Sequence, residues 1–367
     1  IFTCQLHDKY LDQTYNISKI YTVFPNENIF KFNIKVENDK LIALLGGKIE
    51  ETSIKEEVVN GLFSGTKNAV NSTNEAVKSS IRARLSQLSG VPTSSSSASS
   101  KKGQSGGDED AKYGLWAQAL YNHVKRDASA SAVGFKGHSE GIVMGADTEV
   151  TDDVIAGVAY SYTKSEMKSV GEKTDVKTHG FFAYGQYKPN EYFVNGSLGF
   201  GISKAEPKNG DDDVKSKFYS FDALTGFEKS TDAGMFVPGV GVRYVRINQD
   251  AYKDGDTRLK AKDSNTVTAV VQLGWNNVYK VNTMEITPRA TLGFIYDIKS
   301  DDNKVNVKAG NVHILTEDDR LSRFGTELNV GVDTKVNNQW GLSLDYNGEY
   351  RQHYKNHTGT ISVRYDF

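Results

Sequence analysis

The sequence predicts an all-β fold: a 12-stranded up-and-down antiparallel transmembrane β-barrel over residues 112–367, with an N-terminal α-helix in its lumen. Three observations lead to this fold. Apolar and polar residues alternate in twelve successive segments, the connections between those segments are alternately short and long, and one helical segment precedes the first strand. The even number of strands places both ends of the sheet on the same side of a membrane.

The composition fits a sheet-rich protein and excludes several other classes. The 367 residues include 34 Gly, 19 Tyr and 17 Phe but only 6 Pro, and aromatic residues favour strands. The net charge of −2 gives no sign of a nucleic-acid partner. Mean hydropathy is −0.51 and no apolar run reaches the roughly 18 residues of a membrane helix, but transmembrane strands alternate and average to a polar value. Cys4 is the single cysteine, so an intrachain disulfide and a cysteine metal site are excluded.

Period-two alternation identifies each predicted strand. The twelve segments cover roughly 112–124, 138–150, 153–164, 177–188, 191–204, 216–229, 233–247, 265–279, 283–298, 320–334, 338–350 and 356–367. Alternation is clearest in 192–202, 235–245, 340–350 and the last strand. A segment of this length is sufficient to cross a bilayer, because about 9–11 tilted residues span the hydrocarbon core.

The two faces of these strands are predicted to meet different surroundings. The clear strands carry no charge on their apolar face, as lipid requires, because a charge at the bilayer midplane costs about 2–4 kcal/mol. The predicted lipid-facing residues are Tyr192, Leu198, Phe200, Phe236, Val240, Val242, Tyr244, Trp340, Leu342, Leu344 and Tyr346. The predicted lumen-facing polar residues are Asp147, Asp222, Arg243, Glu285, Arg289, Arg323, Glu327, Asp345, Glu349 and Arg364.

The connections favour a membrane barrel over a soluble β-barrel or sandwich, which would also show alternation. Short turns with turn-forming residues lie at 151–153, 188–191, 230–233, 280–283 and 336–339, and near 351–355. Longer polar loops lie at roughly 125–137, 165–176, 205–215, 248–264 and 299–319. Outer-membrane barrels have short periplasmic turns and longer extracellular loops.

Residues 66–89 are predicted to form the luminal helix. Apolar residues recur at helical spacing, and Gly90 and Pro92 end the segment. Val77, Ile81, Arg82, Arg84 and Leu85 are the predicted luminal residues, with the arginines pairing with carboxylates of the barrel. The alternative is an amphipathic helix docked on another surface. Residues 91–111 are predicted to be a Ser/Gly-rich flexible linker, and residues 1–60 the end of an upstream β-rich region of a longer precursor.

The last strand is predicted to be an assembly element as well as a membrane strand. Its outward face consists of Gly359, Ile361, Val363, Tyr365 and Phe367. The edge of such a strand can pair with another protein or with the barrel's own first strand.

Four stretches resemble the translocator β-domain of the monomeric type V secretion autotransporters of Gram-negative bacteria. They are "YGLWAQALYNH" (113–123), "FKGHSEGIVMGADTEVTDDVIAGVAYSYTKSE" (135–166), "FVPGVGVRYVRINQDAYKDG" (236–255) and "ISVRYDF" (361–367). The resemblance covers about residues 66–367. The Lys-, Asn- and Asp-rich style is similar to the surface-antigen autotransporters of obligate intracellular bacteria.

The resemblance implies a function and a set of partners. The barrel would insert into outer-membrane lipid with the help of the barrel-assembly machinery, which reads the terminal strand. It would export an adhesin or surface antigen, its own passenger, of which residues 1–60 are a remnant. The helix would remain as tether and plug, with the N-terminal region at the cell surface and the passenger contacting a host-cell receptor. Some family members cut the helix at an Asn-Asn bond, but Asn68, Asn71 and Asn74 are not adjacent, so self-cleavage is not implied.

Two other functions compete with this interpretation. An outer-membrane diffusion channel would conduct ions and would not need residues 66–89. A soluble ligand-binding β-barrel would be monomeric without detergent. The sequence contains no G-x-S-x-G, Walker or H-E-x-x-H motif, so we expect neither enzymatic activity nor a cofactor. A metal role for His353 and His357 is not expected either.

Overall fold

The computed structural model describes residues 2–5, 30–37, 40–48, 56–88, 113–129, 132–169, 172–207, 213–254, 257–282, 284–309, 312–336 and 339–367. The chain divides into two compact units, Ile1–Lys55 and Glu56–Phe367. The predicted linker at 91–111 lies outside the described residues. In the first unit, strands Phe2–Gln5, Phe30–Glu37 and Lys40–Lys48 form a sheet with the last of them in the centre. That this unit is a passenger remnant stays a prediction.

The second unit contains a closed barrel of twelve long antiparallel strands, as predicted. The strands are β1 Tyr113–Arg126, β2 Phe135–Thr151, β3 Val154–Ser169, β4 Glu172–Tyr187, β5 Tyr192–Pro207, β6 Val214–Phe227, β7 Gly234–Gln249, β8 Ser264–Asn276, β9 Met284–Ser300, β10 Phe324–Val336, β11 Trp340–Arg351 and β12 Tyr354–Asp366. Consecutive strands are paired throughout the sheet.

The barrel closes between its last and first strands. β12 pairs with β1 from Tyr354↔Arg126 to Asp366↔Gly114, and the backbone N–H of Phe367 donates to the carbonyl of Tyr113 at 3.0 Å. Closure removes the unpaired edges that an open sheet would expose. The terminal strand, whose edge could have paired with a partner, is therefore paired within the chain.

The two ends of the barrel differ in their connections. At the short-turn end, strands are joined through 152–153, 188–191 and 337–339. At the opposite end, two long connections predicted to be polar loops instead form a four-stranded sheet, the lid sheet. Its strands are Tyr252–Asp254, Thr257–Ala261, Asn303–Ala309 and Val312–Asp318. The prediction missed this sheet because its strands are short and charged, and its central pairing joins two segments far apart in sequence.

The helix α1 runs from Glu56 to Leu88 and therefore begins ten residues before the predicted start. Its 33 residues make a rod of about 50 Å at 1.5 Å per residue. Gly61 and Gly65 disfavour a helix there, since each costs roughly 1 kcal/mol relative to Ala. Burial of Phe63 between them, at 1% exposure, offsets that cost. No helix in the described part of the chain is long and apolar enough to span a bilayer.

Candidate functional site

The inner face of the barrel combines small residues with large rings. Trp116 and Tyr184 point inward and are almost fully buried. A Cβ atom on Gly145 would lie 2.5 Å from the Trp116 ring, and one on Gly157 would lie 2.4 Å from the Tyr184 ring. These inward glycines therefore leave the space that the rings occupy.

The helix lies in the lumen, and both its polar and its apolar side chains are buried. Val70, Val77, Ile81 and Leu85 are at most 2% exposed. Several of its small polar residues are also buried, and hydrogen bonds join the helix to the barrel wall and small polar side chains to the helix itself. The Ser220 hydroxyl donates to the Asn74 side chain at 3.3 Å, the Gln186 amide to the Leu85 carbonyl at 3.2 Å, and the Ser80 hydroxyl to the Ala76 carbonyl at 3.0 Å. A helix with this surface suits a polar lumen.

The first ionic contact between helix and wall is centred on Asp147 of β2, the Asp147 cluster. Arg84 of the helix donates from Nε and Nη2 to the two carboxylate oxygens, at 2.8 and 2.9 Å. Arg364 of β12 donates to Oδ1 at 3.0 Å, and the Tyr184 hydroxyl to Oδ2 at 2.9 Å. The indole N–H of Trp116 donates to the Tyr184 hydroxyl at 2.7 Å. This bidentate geometry fixes the helix in both rotation and height.

The second ionic contact is centred on Asp222 of β6, the Asp222 cluster. Lys78 donates to Oδ1 and Arg82 to Oδ2, both at 2.7 Å. Lys78 also pairs with Glu75 of the helix at 2.7 Å, and its side chain is 1% exposed. Glu75 lies 3.8 Å from Arg243 of β7. Lys78 and Arg82, four residues apart, share one helix face and meet one carboxylate.

Most charges of β8–β11 have a different arrangement, because their partners lie within the wall; Glu327 of β10, which pairs with Arg243 of β7, is the exception. Arg289 of β9 donates to Asp333 of β10 at 2.7 and 3.2 Å and also pairs with Asp345 of β11. Arg351 pairs with Asp297 at 2.7 Å and with Glu349 at 2.6 Å. We call β8–β11 the self-paired wall and β1–β6 the helix-facing wall.

Eight of the ten predicted lumen-facing residues lie inside the barrel. Arg243 and Glu327 join β7 to β10 through bonds of 2.5 and 2.9 Å. Glu285 is half-buried at the short-turn end of β9, 3.3 Å from Lys280. Arg323 is different: it precedes β10, is exposed, and its backbone carbonyl accepts from the N–H of Asp297. The prediction placed β10 four residues too early and so put Arg323 inside the strand.

All eleven predicted lipid-facing residues share the outward face of the barrel. Tyr192 is 65% and Leu198 60% exposed, while Phe236, Val242, Tyr244 and Tyr346 are half-buried against neighbouring outward side chains. On the terminal strand Ile361 is 64% and Phe367 59% exposed. The Tyr365 ring makes an edge contact with Trp340, their centroids 4.9 Å apart.

Sequence reasoning missed several residues of the site. It singled out Arg82 and Arg84 but not Lys78 or Glu75, although the i,i+4 spacing of Lys78 and Arg82 was a usable signal. Tyr184 was also missed, since an inward tyrosine on an alternating strand cannot be told from an outward one without the register.

The lid end of the helix is held by a further group of contacts. The Lys67 ammonium donates to the Asn303 side chain at 2.6 Å, and the Asn303 amide donates to the Ser64 hydroxyl at 2.9 Å. Arg126 of β1 pairs with Asp318 of the lid sheet at 3.2 Å, with both side chains at most 5% exposed. The lid sheet is thereby attached both to the helix and to the first barrel strand.

Within the described ranges, no group of three or more His, Cys, Asp or Glu side chains could hold a metal ion. His353 lies in the tight turn between β11 and β12 at φ 59°, and the His357 ring bonds to the Tyr346 hydroxyl on the outer face at 2.6 Å. The lumen's chemistry is that of buried ion pairs between a helix and its wall.

Comparison with known proteins gives concordant matches. A family model described as the autotransporter beta-domain matches residues 115–347. Outer membrane protein B of Rickettsia typhi is 25% identical over 319 residues, which cover 77% of this chain and 19% of that protein. Outer membrane protein A of Rickettsia conorii is 24% identical over 346 residues, covering 86% of this chain and 17% of that protein. The chain thus spans about a fifth of the length of these relatives.

Two solved structures share the fold. The translocator domain of autotransporter NalP from Neisseria meningitidis has a TM-score of 0.59 at 16% identity, covering 80% of this chain and 98% of that one. The beta domain of the Bordetella autotransporter Brka has a TM-score of 0.55 at 15% identity, covering 70% and 100%.

Proposed function

The chain belongs to the autotransporter β-domain family, and on this premise we propose that α1 is the tether by which the barrel holds an exported passenger at the cell surface. The barrel is an outer-membrane translocator. The observation that carries the tether proposal is the pair of ionic clusters, around Asp147 and Asp222, through which the wall holds the helix.

The direction of the helix supports the proposal. Near its start, the Phe63 carbonyl accepts from Gln249 at the lid end of β7, and near its end the Leu85 carbonyl accepts from Gln186 near the short-turn end of β4. Outer-membrane barrels carry their short turns on the periplasmic side and their long loops outside. The start of α1 therefore lies at the extracellular end of the lumen.

The ionic clusters would act once export is complete. An arginine or lysine buried in the lumen without a partner is costly, and docking onto Asp147 and Asp222 removes that cost. Small side chains along the rest of the helix offer little obstruction to a chain moving through the lumen. The helix would therefore stop where its cations reach the two carboxylates.

No catalytic step is part of this proposal. The luminal carboxylates Asp147 and Asp222 are engaged by arginine and lysine, which accounts for them as structural partners. Neither Asn68, Asn71 nor Asn74 is followed by a second asparagine, which disfavours self-cleavage by the Asn-Asn route.

The passenger and two partners complete the proposal. The passenger would be an adhesin or surface antigen that contacts a host-cell receptor. One relative, from Rickettsia conorii, is named a putative surface cell antigen, which supports a surface antigen. The barrel-assembly machinery would read the terminal strand, whose outward face ends in Tyr365 and Phe367. Deleting Tyr365–Phe367 is expected to abolish heat-modifiable, membrane-inserted protein, with Phe367→Tyr as the control that keeps an aromatic ring. Normal assembly of the deletion would contradict this role.

Export is tested by surface display. An epitope inserted upstream of Glu56 should be removed by protease added to intact cells, because the helix delivers that part of the chain outside. An epitope that becomes accessible only after the outer membrane is opened would contradict the proposal.

The tether is tested by protease protection in isolated membranes. Trypsin cuts after Lys78, Arg82 and Arg84, which the folded lumen shields. The double variant Asp147→Asn with Asp222→Asn is expected to expose these bonds, since both ionic clusters are lost. The matched control, Asp333→Asn with Asp345→Asn, removes two carboxylates from the self-paired wall and should leave the helix protected. Equal cleavage of the two variants would contradict the tether.

A further inference from the structure

The outer surface of the barrel carries a row of lysines at its lid end. Lys355, Lys125, Lys136, Lys168 and Lys173 belong to five consecutive strands and are direct cross-strand partners of one another. All five alternate with inward residues and so face outward. Side chains directly opposite each other have Cβ atoms about 4.5–5.5 Å apart, and like charges in such positions are destabilising.

A second row continues the first. Lys164, Lys177, Lys204 and Lys215 are direct partners across β3, β4, β5 and β6, and Lys217 follows on β6. We call the two rows together the basic arc. It extends over seven consecutive strands, from β12 to β6.

The carboxylates beside the arc neutralise only part of it. Glu166 pairs with Lys168 and Lys173, and Glu206 pairs with Lys177 and Lys204. At the strand ends, Asp127 pairs with Lys125 and Asp213 with Lys204. Lys136, Lys164, Lys215, Lys217 and Lys355 form no ion pair with any residue in the described ranges. Glu140 lies directly opposite Lys164, and Asp175 lies opposite Glu166, so these carboxylates reduce the positive charge of the ten lysines without cancelling it.

The position of the arc matches a membrane boundary. Each of its lysines lies at least ten residues along its strand from the short-turn end. Ten residues of a strand tilted by about 45° rise roughly 24 Å, close to the ~25 Å apolar band of an outer-membrane barrel. The short-turn end of the same face carries aromatic residues instead, including Tyr113, Tyr187 and Tyr192. The ammonium groups thus lie at the extracellular edge of the hydrocarbon, where lipid headgroups are.

An apolar surface lies directly beneath the arc. Outward side chains of β1–β6 form a shallow concave area that includes Leu115, Val158, Phe181, Leu198 and Phe221. All five are at least 40% exposed. Acyl chains fit such a surface, and anionic headgroups of the same lipids would then lie against the lysines.

We propose that the basic arc binds phosphate-bearing lipid headgroups of the outer leaflet of the bacterial outer membrane. The lysines complement the negative charge of a phosphate, and the apolar surface beside them can hold acyl chains. A lipid uses both features, whereas a soluble anion would use only the lysines. Phosphate oxygens accept hydrogen bonds from ammonium groups and neutralise several lysines at once. The proposal rests on the location of the barrel in the outer membrane and is independent of passenger export.

The variant that tests the proposal removes the five lysines without an ion pair: Lys136, Lys164, Lys215, Lys217 and Lys355, each changed to Gln. The matched control changes five exposed lysines outside the arc, Lys229, Lys253, Lys260, Lys262 and Lys308, to Gln. Both variants lose the same charge, and neither touches the helix or the luminal clusters. Heat-modifiability confirms that each variant is folded.

Full-length protein in zwitterionic detergent is titrated with phosphatidic acid, and retained lipid is counted by native mass spectrometry. Phosphatidylcholine and a fatty-acid carboxylate with the same acyl chains serve as comparison lipids. The wild type and the control variant should retain phosphatidic acid in preference to both. The arc variant should bind it more than tenfold more weakly, since one lysine near an anionic surface contributes about fivefold.

Three results would overturn the proposal. Equal weakening of the arc and control variants would show a general charge effect. Equal retention of the carboxylate and phosphate lipids would remove phosphate as the recognised group. Displacement of phosphatidic acid by a comparable concentration of inorganic phosphate would show that the lysines bind a free anion rather than a lipid.

Discussion

The two halves of the lumen wall neutralise their buried charges in different ways. In the self-paired wall, Arg289 finds Asp333 and Asp345 on neighbouring strands. In the helix-facing wall, Asp222 has its cations on the helix, and Asp147 has one on the helix and one on β12. One half is complete without α1, and the other becomes complete only when α1 is docked.

This difference explains how one barrel can let a segment pass through its lumen and then hold the same segment in place. Buried charges without partners cost several kcal/mol, so the helix-facing wall selects a segment that supplies cations at the right heights. The self-paired wall places no such demand and can remain intact whatever occupies the lumen. Variants in the two halves should therefore differ in their effect on the helix.

The largest effect is expected for Asp147→Asn. It leaves Arg84 and Arg364, both largely buried, without their shared carboxylate. Breaking a buried pair by removing one partner typically costs about 3–5 kcal/mol. The free energy of unfolding in detergent, measured from the unboiled band as denaturant is raised, should fall by about that amount. A loss below ~1 kcal/mol would show that the cluster does not hold the helix.

An intermediate effect is expected for Tyr184→Phe. The substitution removes the hydroxyl that links Trp116 to Asp147 but keeps the ring against Gly157. Leaving the buried indole N–H without a partner costs about 1–3 kcal/mol. Denaturant unfolding should show this loss, and the additional loss should be small in the double variant with Asp147→Asn, because the two residues belong to one network. Full additivity would contradict that network.

The smallest effect is expected for Asp345→Asn in the self-paired wall. Arg289 keeps its two bonds to Asp333, so the loss should be about 1 kcal/mol. Helix protection from trypsin should be unchanged. Release of the helix in this variant would erase the distinction between the two walls.

Much of the barrel could be predicted from the sequence because one face of each strand must be free of charge. Tyr192, Leu198 and Trp340 follow from that constraint alone. The start of α1 could not be predicted, since burial of Phe63 against the barrel outweighs the helix propensity of Gly61 and Gly65. The lid sheet was equally hidden, because its central pairing joins Thr257–Ala261 to Asn303–Ala309 across two barrel strands.

The ion pairs between the helix and the barrel wall show a second limit of prediction from the sequence. The sequence predicted Asp147, Asp222 and Arg84 as luminal residues, but it gave no information on which cation meets which carboxylate. That choice depends on the height of the helix in the barrel, which the contacts at both ends fix together. The basic arc was hidden for a related reason: its lysines are spread over 93 residues from Lys125 to Lys217, and Lys355 lies beyond them.

Conductance across a planar bilayer tests the central account most directly, because a docked helix occupies the lumen. Wild-type protein should conduct little, and deletion of residues 56–88 should open a stable pore. The double variant Asp147→Asn with Asp222→Asn should switch between the low conductance of the wild type and the high conductance of the deletion. The control Asp333→Asn with Asp345→Asn should stay at the wild-type level. Equal conductance with and without residues 56–88 would contradict the account and favour a diffusion channel instead.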